Sequence, residues 1–168
     1  MASTLSTPKA KADNQIPGII PEPQSIHPGA GHFQIKSNTQ IISDSSSHAT
    51  AEFLANLLAP ALGQPLAIVD APSKSSASQN AIQLSVEPTQ NLGPEAYKLT
   101  ITDSKIQIVG GGDAGVFYGI QTLRQLLPPQ IESKKNLDHS QLVVPVVTIE
   151  DQPRYRWRGL MLDVSRHF

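Results

Sequence analysis

Apolar residues recur along the chain with two spacings, and their alternation predicts a layered domain. Short apolar runs and positions that alternate apolar with polar predict strands, whereas apolar positions three and four apart predict helices. The predicted strands are residues 33–36, 39–42, 66–69, 81–86, 96–102, 105–109 and 142–149. The predicted helices are residues 48–62 and 114–127.

Each predicted helix has one apolar face and residues that suit its ends. Residues 44–47 are suited to cap the first helix, which Pro60 and Gly63 are expected to end, and Asp113 is expected to cap the second helix. The expected buried faces comprise Phe53, Leu54, Leu57, Leu58, Ala61 and Leu62 in the first helix and Val116, Phe117, Ile120, Leu123 and Leu127 in the second.

Strands 96–102 and 105–109 are joined by Asp103 and Ser104 alone, a connection typical of an antiparallel hairpin. The order of elements is strands, helix, strands, hairpin, helix and strand. This order predicts an α+β fold, in which a mixed, largely antiparallel sheet carries two helices on one face.

Composition divides the chain into three parts. Residues 1–15 are small and polar and predict a disordered tail. Residues 16–150 form the layered domain, which begins with a proline-rich extended stretch at residues 16–28. Residues 151–168 are expected to form a hinge and the first strand of a second domain.

The last predicted strand, residues 160–164, is apolar apart from Asp163 and is followed by a polar cluster that contains Arg166 and His167. Such a run is typical of a strand buried on both faces of a parallel sheet, and functional groups gather at the carboxyl ends of such strands. If the chain ends at Phe168, this strand has unpaired edges, which predicts an oligomer or a disordered C-terminus.

Composition and charge exclude several classes of function. The 168 residues carry a formal net charge of −1, which gives no general attraction to nucleic acid or an anionic membrane, and they include no cysteine. No apolar run reaches the roughly 18 residues of a membrane span. The five histidines lack metal-ligand spacing, so no metal is expected. We expect a periplasmic or secreted protein whose leader has been removed, with a cytoplasmic one as the alternative.

Two further motifs allow more than one interpretation. Gly110, Gly112 and Gly115 fit the dinucleotide pattern G-x-G-x-x-G, but the preceding strand belongs to a hairpin and no acidic residue follows at the required distance. We therefore expect a close-packed turn and no cofactor. Arg154, Arg156 and Arg158 alternate with aromatic residues, which suits a phosphate-binding row or, as we prefer, a one-sided strand or an interdomain contact.

Two stretches resemble one known family. The sequence RWRGLMLDVSRHF at the C-terminus, together with IIPEPQSI near the start, is similar to glycoside hydrolase family 20, the β-N-acetylhexosaminidases. The resemblance extends over residues 16–168. It implies that residues 16–150 are the family's N-terminal α/β domain and that residues 151–168 are a hinge and the first strand of a truncated (β/α)8 barrel.

The resemblance also implies an activity and a site. Family members remove terminal β-linked N-acetylglucosamine or N-acetylgalactosamine from glycans by substrate-assisted catalysis with retention of configuration. Arg166 matches the arginine that binds the hydroxyls of the cleaved sugar, and Asp163 and His167 are its expected supports.

The catalytic Asp-Glu pair of the family lies beyond residue 168, so this chain is expected to hold no catalytic residue and to be inactive without the rest of the barrel. The alternative is a free-standing, non-catalytic module for interaction or glycan binding. Barrel strands encoded after Phe168 would indicate the enzyme, whereas a stop codon there would favour the module.

Overall fold

The computed structural model describes residues 16–71, 79–88, 92–133, 135–137 and 142–162. The predicted tail, residues 1–15, lies outside this part. In chain order the elements are β1 (Ser25–Gln34), β2 (Gln40–Ser43), α1 (His48–Leu62), β3 (Ala67–Asp70), β4 (Ala81–Val86), β5 (Tyr97–Ile101), β6 (Lys105–Gly110), α2 (Asp113–Leu126), a 3-10 turn (Pro129–Ser133) and β7 (Val143–Asp151).

The described strands form one sheet in the order β1-β7-β5-β6-β4-β2-β3. The predicted hairpin is confirmed as β5 and β6. One half of the sheet is parallel, since β2 pairs with β3 and β4 and β4 pairs with β6. The other half is antiparallel, since β7 pairs with β1 and β5 and β5 pairs with β6. The sheet is therefore mixed, as predicted, but its antiparallel pairs equal rather than outnumber its parallel ones.

β1 is the element that departs most from the sequence prediction. The structure places a ten-residue strand at Ser25–Gln34, earlier and longer than the predicted residues 33–36. Its register shifts between Pro28 and His32, so the strand accommodates the proline at an irregularity. β1 is an edge strand, and an edge tolerates the missing N–H of proline because one side of the strand needs no partner.

Both helices cover the same face of the sheet, as predicted. α1 packs on β2 and β3, α2 packs on β4, β5 and β6, and the helices contact each other. The central strands supply the buried floor with the fully buried side chains Ile82, Leu84, Leu99, Ile101, Ile106 and Ile108. Alternate residues point to the open face, where Lys98 Nζ lies 2.6 Å from Glu150 Oε1 and Lys105 Nζ donates to Gln83 Oε1.

Two residues assigned to the buried helix faces lie at the outside of the helix layer. Phe53 in α1 and Phe117 in α2 are each 37% exposed, and their ring centroids are 5.2 Å apart. Helical periodicity places both residues at the margin of the apolar stripe. Whether a residue at that margin is buried depends on how the two helices contact each other. Periodicity within one helix does not show that contact.

The ends of the helices also differ from the expectation. Ser47 is the N-cap of α1 without a capping side-chain hydrogen bond, because its hydroxyl donates to Asp44 Oδ1. Asp44 also accepts from the backbone N–H of Val86, so it joins the end of β2 to β4. Pro60 lies inside α1, which ends at Gly63 in a left-handed conformation (φ 75°). Gly112, not Asp113, is the N-cap of α2, and the Asp113 carboxylate accepts from Thr50 Oγ1.

The glycine-rich turn between β6 and α2 is a packing device, as expected. A Cβ on Gly115 would collide with the carbonyl oxygen of Ala96, and a Cβ on Gly111 would collide with that of Gly93. The backbone before β5 can therefore lie directly on this turn only because both positions are glycine. α2 leads from β6 to β7, but β5 lies between these two strands, so the pair of adjacent parallel strands that a dinucleotide site needs is not formed.

Candidate functional site

The three residues with a predicted role at the sugar, Arg166, Asp163 and His167, lie outside the described residues. The structure describes the segment that leads to them, residues 152–162, which we call the exit segment. This segment contains no strand or helix. Residues 160–162, the described part of the predicted barrel strand, are therefore irregular here. A buried strand needs neighbours on both sides, and no strand of the described sheet pairs with the exit segment.

The exit segment exposes its apolar side chains. Trp157 and Leu160 are each 91% exposed, Met161 is 94% exposed and Leu162 is 65% exposed. Soluble proteins rarely present contiguous apolar residues of this size without a partner surface. The one-sided strand predicted at Arg154, Arg156 and Arg158 is wrong, because these residues have irregular structure, whereas the interdomain contact stays a prediction.

A cleft of about 580 Å³ lies where the exit segment leaves the domain. Its walls are the N-terminal residues 19–22, the outer side of α2 and residues 152–155 with Arg158. Gln125 of α2 holds the N-terminal wall, because its amide accepts from the N–H of Ile20 at 2.9 Å and donates to the carbonyl of Ile20 at 3.1 Å. The cleft thus brings the first and last described parts of the chain together beside one helix.

The floor of the cleft is formed by Tyr97 at the start of β5. Its hydroxyl lies 2.5 Å from Thr122 Oγ1 in α2, and both residues are buried. Burial raises the pKa of Tyr97 to about 12, an effect that the Asp151 carboxylate strengthens and the hydrogen bond with Thr122 opposes. A tyrosine with this pKa is neutral at physiological pH and cannot act as a base. Its role is to join the sheet to α2.

At the rim of the cleft, Arg158 reaches back to the domain from the exit segment. Its Nη2 donates to Glu95 Oε1 at 2.5 Å and to the Tyr118 hydroxyl at 3.2 Å, and its Nη1 donates to Glu95 Oε2 at 3.4 Å. Nη1 also donates to the carbonyl of Tyr155 at 2.6 Å, which folds the segment onto itself. We call Arg158, Glu95 and Tyr118 the Arg158 clasp.

Electrostatics reinforce the clasp. The hydrogen bond from Arg158 is the largest cause that holds the pKa of the Glu95 carboxyl below its ordinary value, and the charge of Arg158 acts in the same direction. Conversely, the hydrogen bonds with Glu95 and then Tyr118 raise the pKa of Arg158. The Arg158 guanidinium carbon also lies 5.9 Å from the centroid of the Tyr118 ring, within range of a cation–π contact. Both charges are partly exposed, so salt will weaken the pair.

Local sequence patterns do not indicate this cluster. Glu95 lies in the turn before β5, and 63 positions separate it from Arg158. No periodicity relates residues at that distance. Of the three alternating arginines, Arg158 forms an ion pair with Glu95 of the folded domain and Arg154 lines the cleft.

The described residues contain no group of three or more histidine, aspartate or glutamate side chains able to hold a metal ion. Within the same part of the chain, no helix has the length and apolar character of a membrane span. Carboxylate, amide and tyrosine side chains line the cleft beside the hinge. Side chains of these types can hold a segment of chain in place through hydrogen bonds and ion pairs. The fold and the cleft define an α+β domain whose last described segment lies along the cleft.

Comparison with known proteins identifies the family. The chain belongs to glycosyl hydrolase family 20: residues 16–152 match the family's domain 2. Among curated relatives, the β-hexosaminidase of Porphyromonas gingivalis is 35% identical over 89% of this chain, and the β-N-acetylhexosaminidase of Cellulomonas fimi is 30% identical over 89%. The solved structure of Streptomyces plicatus N-acetyl-β-hexosaminidase, in complex with Thio-NAglucal, matches with a TM-score of 0.77 and 39% identity over 89% of this chain.

These comparisons confirm the resemblance and the α+β fold inferred from the sequence. They also show how little of the relatives the chain represents. It spans 19% of the Porphyromonas gingivalis protein, 29% of the Cellulomonas fimi protein and 29% of the Streptomyces plicatus chain. Most of each relative lies outside the region that this chain matches.

Proposed function

We propose that this chain is the N-terminal portion of a retaining β-N-acetylhexosaminidase, which removes terminal β-linked N-acetylglucosamine or N-acetylgalactosamine from glycans. The match of residues 16–152 to the family's domain 2 carries this proposal. The RWRGLMLDVSRHF motif comes directly after that domain, at the place where the first barrel strand is expected.

In this proposal the reaction is substrate-assisted. The acetamido oxygen of the substrate attacks the anomeric carbon, a glutamate protonates the leaving oxygen, and a neighbouring aspartate stabilises the oxazolinium intermediate. Both carboxylates belong to the barrel beyond residue 168. Water then opens the intermediate from the same face that the leaving group occupied, so the configuration is retained.

Arg166 is the residue of this chain that we assign to substrate binding. Its planar guanidinium suits two adjacent sugar hydroxyls, because it offers several donors in fixed geometry. Asp163 and His167 are proposed to support it, Asp163 as a carboxylate partner for the guanidinium. In this proposal the described domain supplies the base from which this strand starts.

The test compares two polypeptides: the 168-residue chain and the product of the complete reading frame that contains it. We expect the 18.1 kDa chain to fold without hydrolysing p-nitrophenyl β-N-acetylglucosaminide, and the longer product to hydrolyse it and release the β-anomer first. NMR of the fresh product identifies the anomer. A folded longer product without turnover, or a reading frame that stops at Phe168, would contradict the proposal and favour the non-catalytic module.

Arg166→Met in the longer protein tests the assignment of Arg166. Loss of charged hydrogen bonds to the sugar should lower kcat/KM by about 10- to 100-fold. Arg156→Met is the matched control, because Arg156 belongs to the same motif but is exposed. Equal effects of the two substitutions would overturn the role of Arg166.

A further inference from the structure

We propose that the Arg158 clasp positions the part of the chain that leads to Arg166, so that Glu95, Tyr118 and Arg158 are positioning residues for substrate binding. This inference rests on the proposed function. It starts from an imbalance in the structure: the exit segment has no regular backbone pairing, yet one of its side chains is held by several hydrogen bonds.

The first step is that the clasp joins three separate parts of the domain. Glu95 belongs to the turn that begins at Gly93, whose carbonyl accepts from the N–H of Ala96. That turn lies against the glycine-rich start of α2. Tyr118 is one turn into α2, and its hydroxyl also donates to Glu95 Oε1 at 3.3 Å. Arg158 therefore binds a carboxylate and a hydroxyl that the turn and the helix have already fixed relative to each other.

The second step is that the clasp fixes a direction as well as a point. A bidentate guanidinium orients its own stem, because both nitrogens must face the two carboxylate oxygens. The bond from Nη1 to the carbonyl of Tyr155 adds a constraint on the backbone three residues earlier. Together these bonds determine the course of the chain at residues 155–158. The neighbouring side chains of Tyr155 and Trp157 are 73% and 91% exposed and contribute little.

The third step is distance. Arg166 lies eight residues after Arg158, a separation that an extended chain covers in about 26–29 Å. A change of direction at Arg158 therefore displaces the residues on its C-terminal side. Misplacement of a substrate-binding group by about 1 Å is enough to reduce catalysis markedly. The clasp can influence the reaction without any contact with the sugar.

The main experiment uses the longer protein with p-nitrophenyl β-N-acetylglucosaminide as the substrate. Glu95→Gln and Arg158→Met should each raise KM and lower kcat/KM about fivefold to tenfold, with an unchanged thermal melting temperature. Arg158→Lys keeps the charge but not the paired donors, so its KM should be intermediate. The double variant should behave like either single variant, because one interaction is lost in all three.

The chain offers a matched control. Arg124 and Glu132 form another bidentate pair of similar exposure, with distances of 2.7 Å from both Nε and Nη2 to the carboxylate. This pair joins α2 to the 3-10 turn, away from the exit segment. Glu132→Gln should leave KM at the wild-type value. A rise in KM equal to that of Glu95→Gln would show a general effect of surface charge and overturn the proposal.

The pH dependence gives an independent readout. Because the folded pKa of Glu95 is lowered, the clasp contributes fully above the ordinary value of 4.5 and is lost as pH falls through the lowered folded pKa. The KM difference between wild type and Glu95→Gln should therefore be present above pH 4.5 and disappear in more acidic solution. A difference that persists unchanged to the lowest pH at which the protein is folded would contradict the mechanism.

A measurement on the 168-residue chain separates this proposal from the proposed function. Trypsin should cleave after Arg154 and Arg156 about fivefold faster in Glu95→Gln than in wild type or Glu132→Gln, because the segment opens more often. Faster cleavage of the variant, combined with a folded longer protein that shows no turnover, would overturn the proposed function and the role in substrate binding, and would leave only the attachment of the exit segment by Arg158. Turnover with equal cleavage rates and equal KM values would sink the clasp alone.

Discussion

Two regions of the molecule differ in the exposure of their apolar side chains. They are the body of the domain, residues 16–151, and the exit segment, residues 152–162. In the body, isoleucines and leucines of the central strands have almost no exposed surface, whereas the large apolar residues of the exit segment are 65–94% exposed. The body is stabilised by its own packing. The exit segment is attached mainly by charge, through the Arg158 clasp, and its apolar surface is left open to a partner.

The difference shows that two parts of one polypeptide can be stabilised by different interactions. Burial of apolar surface stabilises the body by about 25 cal/mol per Å² and is not screened by dissolved ions in the way that an exposed ion pair is. A partly exposed ion pair is modest in energy and is screened by salt, but it has the directional geometry that burial lacks. The body therefore sets whether the domain folds, and the clasp sets where the chain goes next.

The largest expected effect is on the body. Leu99→Ala removes a fully buried side chain from the centre of β5, beneath α2, and should lower the free energy of unfolding by about 2–5 kcal/mol. Chemical denaturation of the 168-residue chain measures it. Thr100→Ala, at the next position on the open face, is the control and should cost less than about 1 kcal/mol. A similar loss for both would mean that the two faces do not differ as described.

A smaller effect is expected at the boundary between the two regions, where Tyr97 joins β5 to α2. Tyr97→Phe removes the hydrogen bond with Thr122 and should cost about 1 kcal/mol at neutral pH. Because the pKa of Tyr97 is about 12 in the folded state against its ordinary value of 10.0, the folded state disfavours the phenolate. Wild type should therefore lose stability relative to Tyr97→Phe as pH rises from 10 to 12. Parallel curves over that range would refute the assigned pKa.

The smallest effect is expected in the exit segment. Trp157→Ala removes the largest side chain of that segment, but because the indole is 91% exposed, the free energy of unfolding should change by less than about 0.5 kcal/mol. Phe117→Ala is an informative companion, since its ring is only 37% exposed and packs on Phe53. A loss of 1 kcal/mol or more for Trp157→Ala would show that the segment belongs to the body.

Local patterns predicted most of the body. The helix at residues 48–62 matches α1, and the hairpin at residues 96–102 and 105–109 matches β5 and β6 closely, because periodicity and turn residues act over short distances. β1 was predicted to start too late, because the prolines indicated an extended or turn stretch at residues 16–28 without showing where a strand begins. Its position at the edge of the sheet, which makes a proline tolerable, depends on β7 more than a hundred residues later.

The site could be predicted less well. The family resemblance indicated Arg166, Asp163 and His167, which the structure does not describe. The cleft and the clasp depend on contacts between residues 19–22, α2 and residues 152–158, and these are far apart in the sequence. Glu95 has no local signature, since a lone acidic residue in a turn is ordinary. Its significance comes only from the arginine that the fold brings to it.

The pairing of the first strand with the last has a consequence for the synthesis of the protein. β1 pairs within the described sheet only with β7, which lies between it and β5. The ribosome therefore releases β1 long before its neighbour exists, and at about 5–20 residues per second the delay between the two strands is on the order of 5–20 s. During that interval the nascent chain carries a segment whose partner in the sheet has not yet been made.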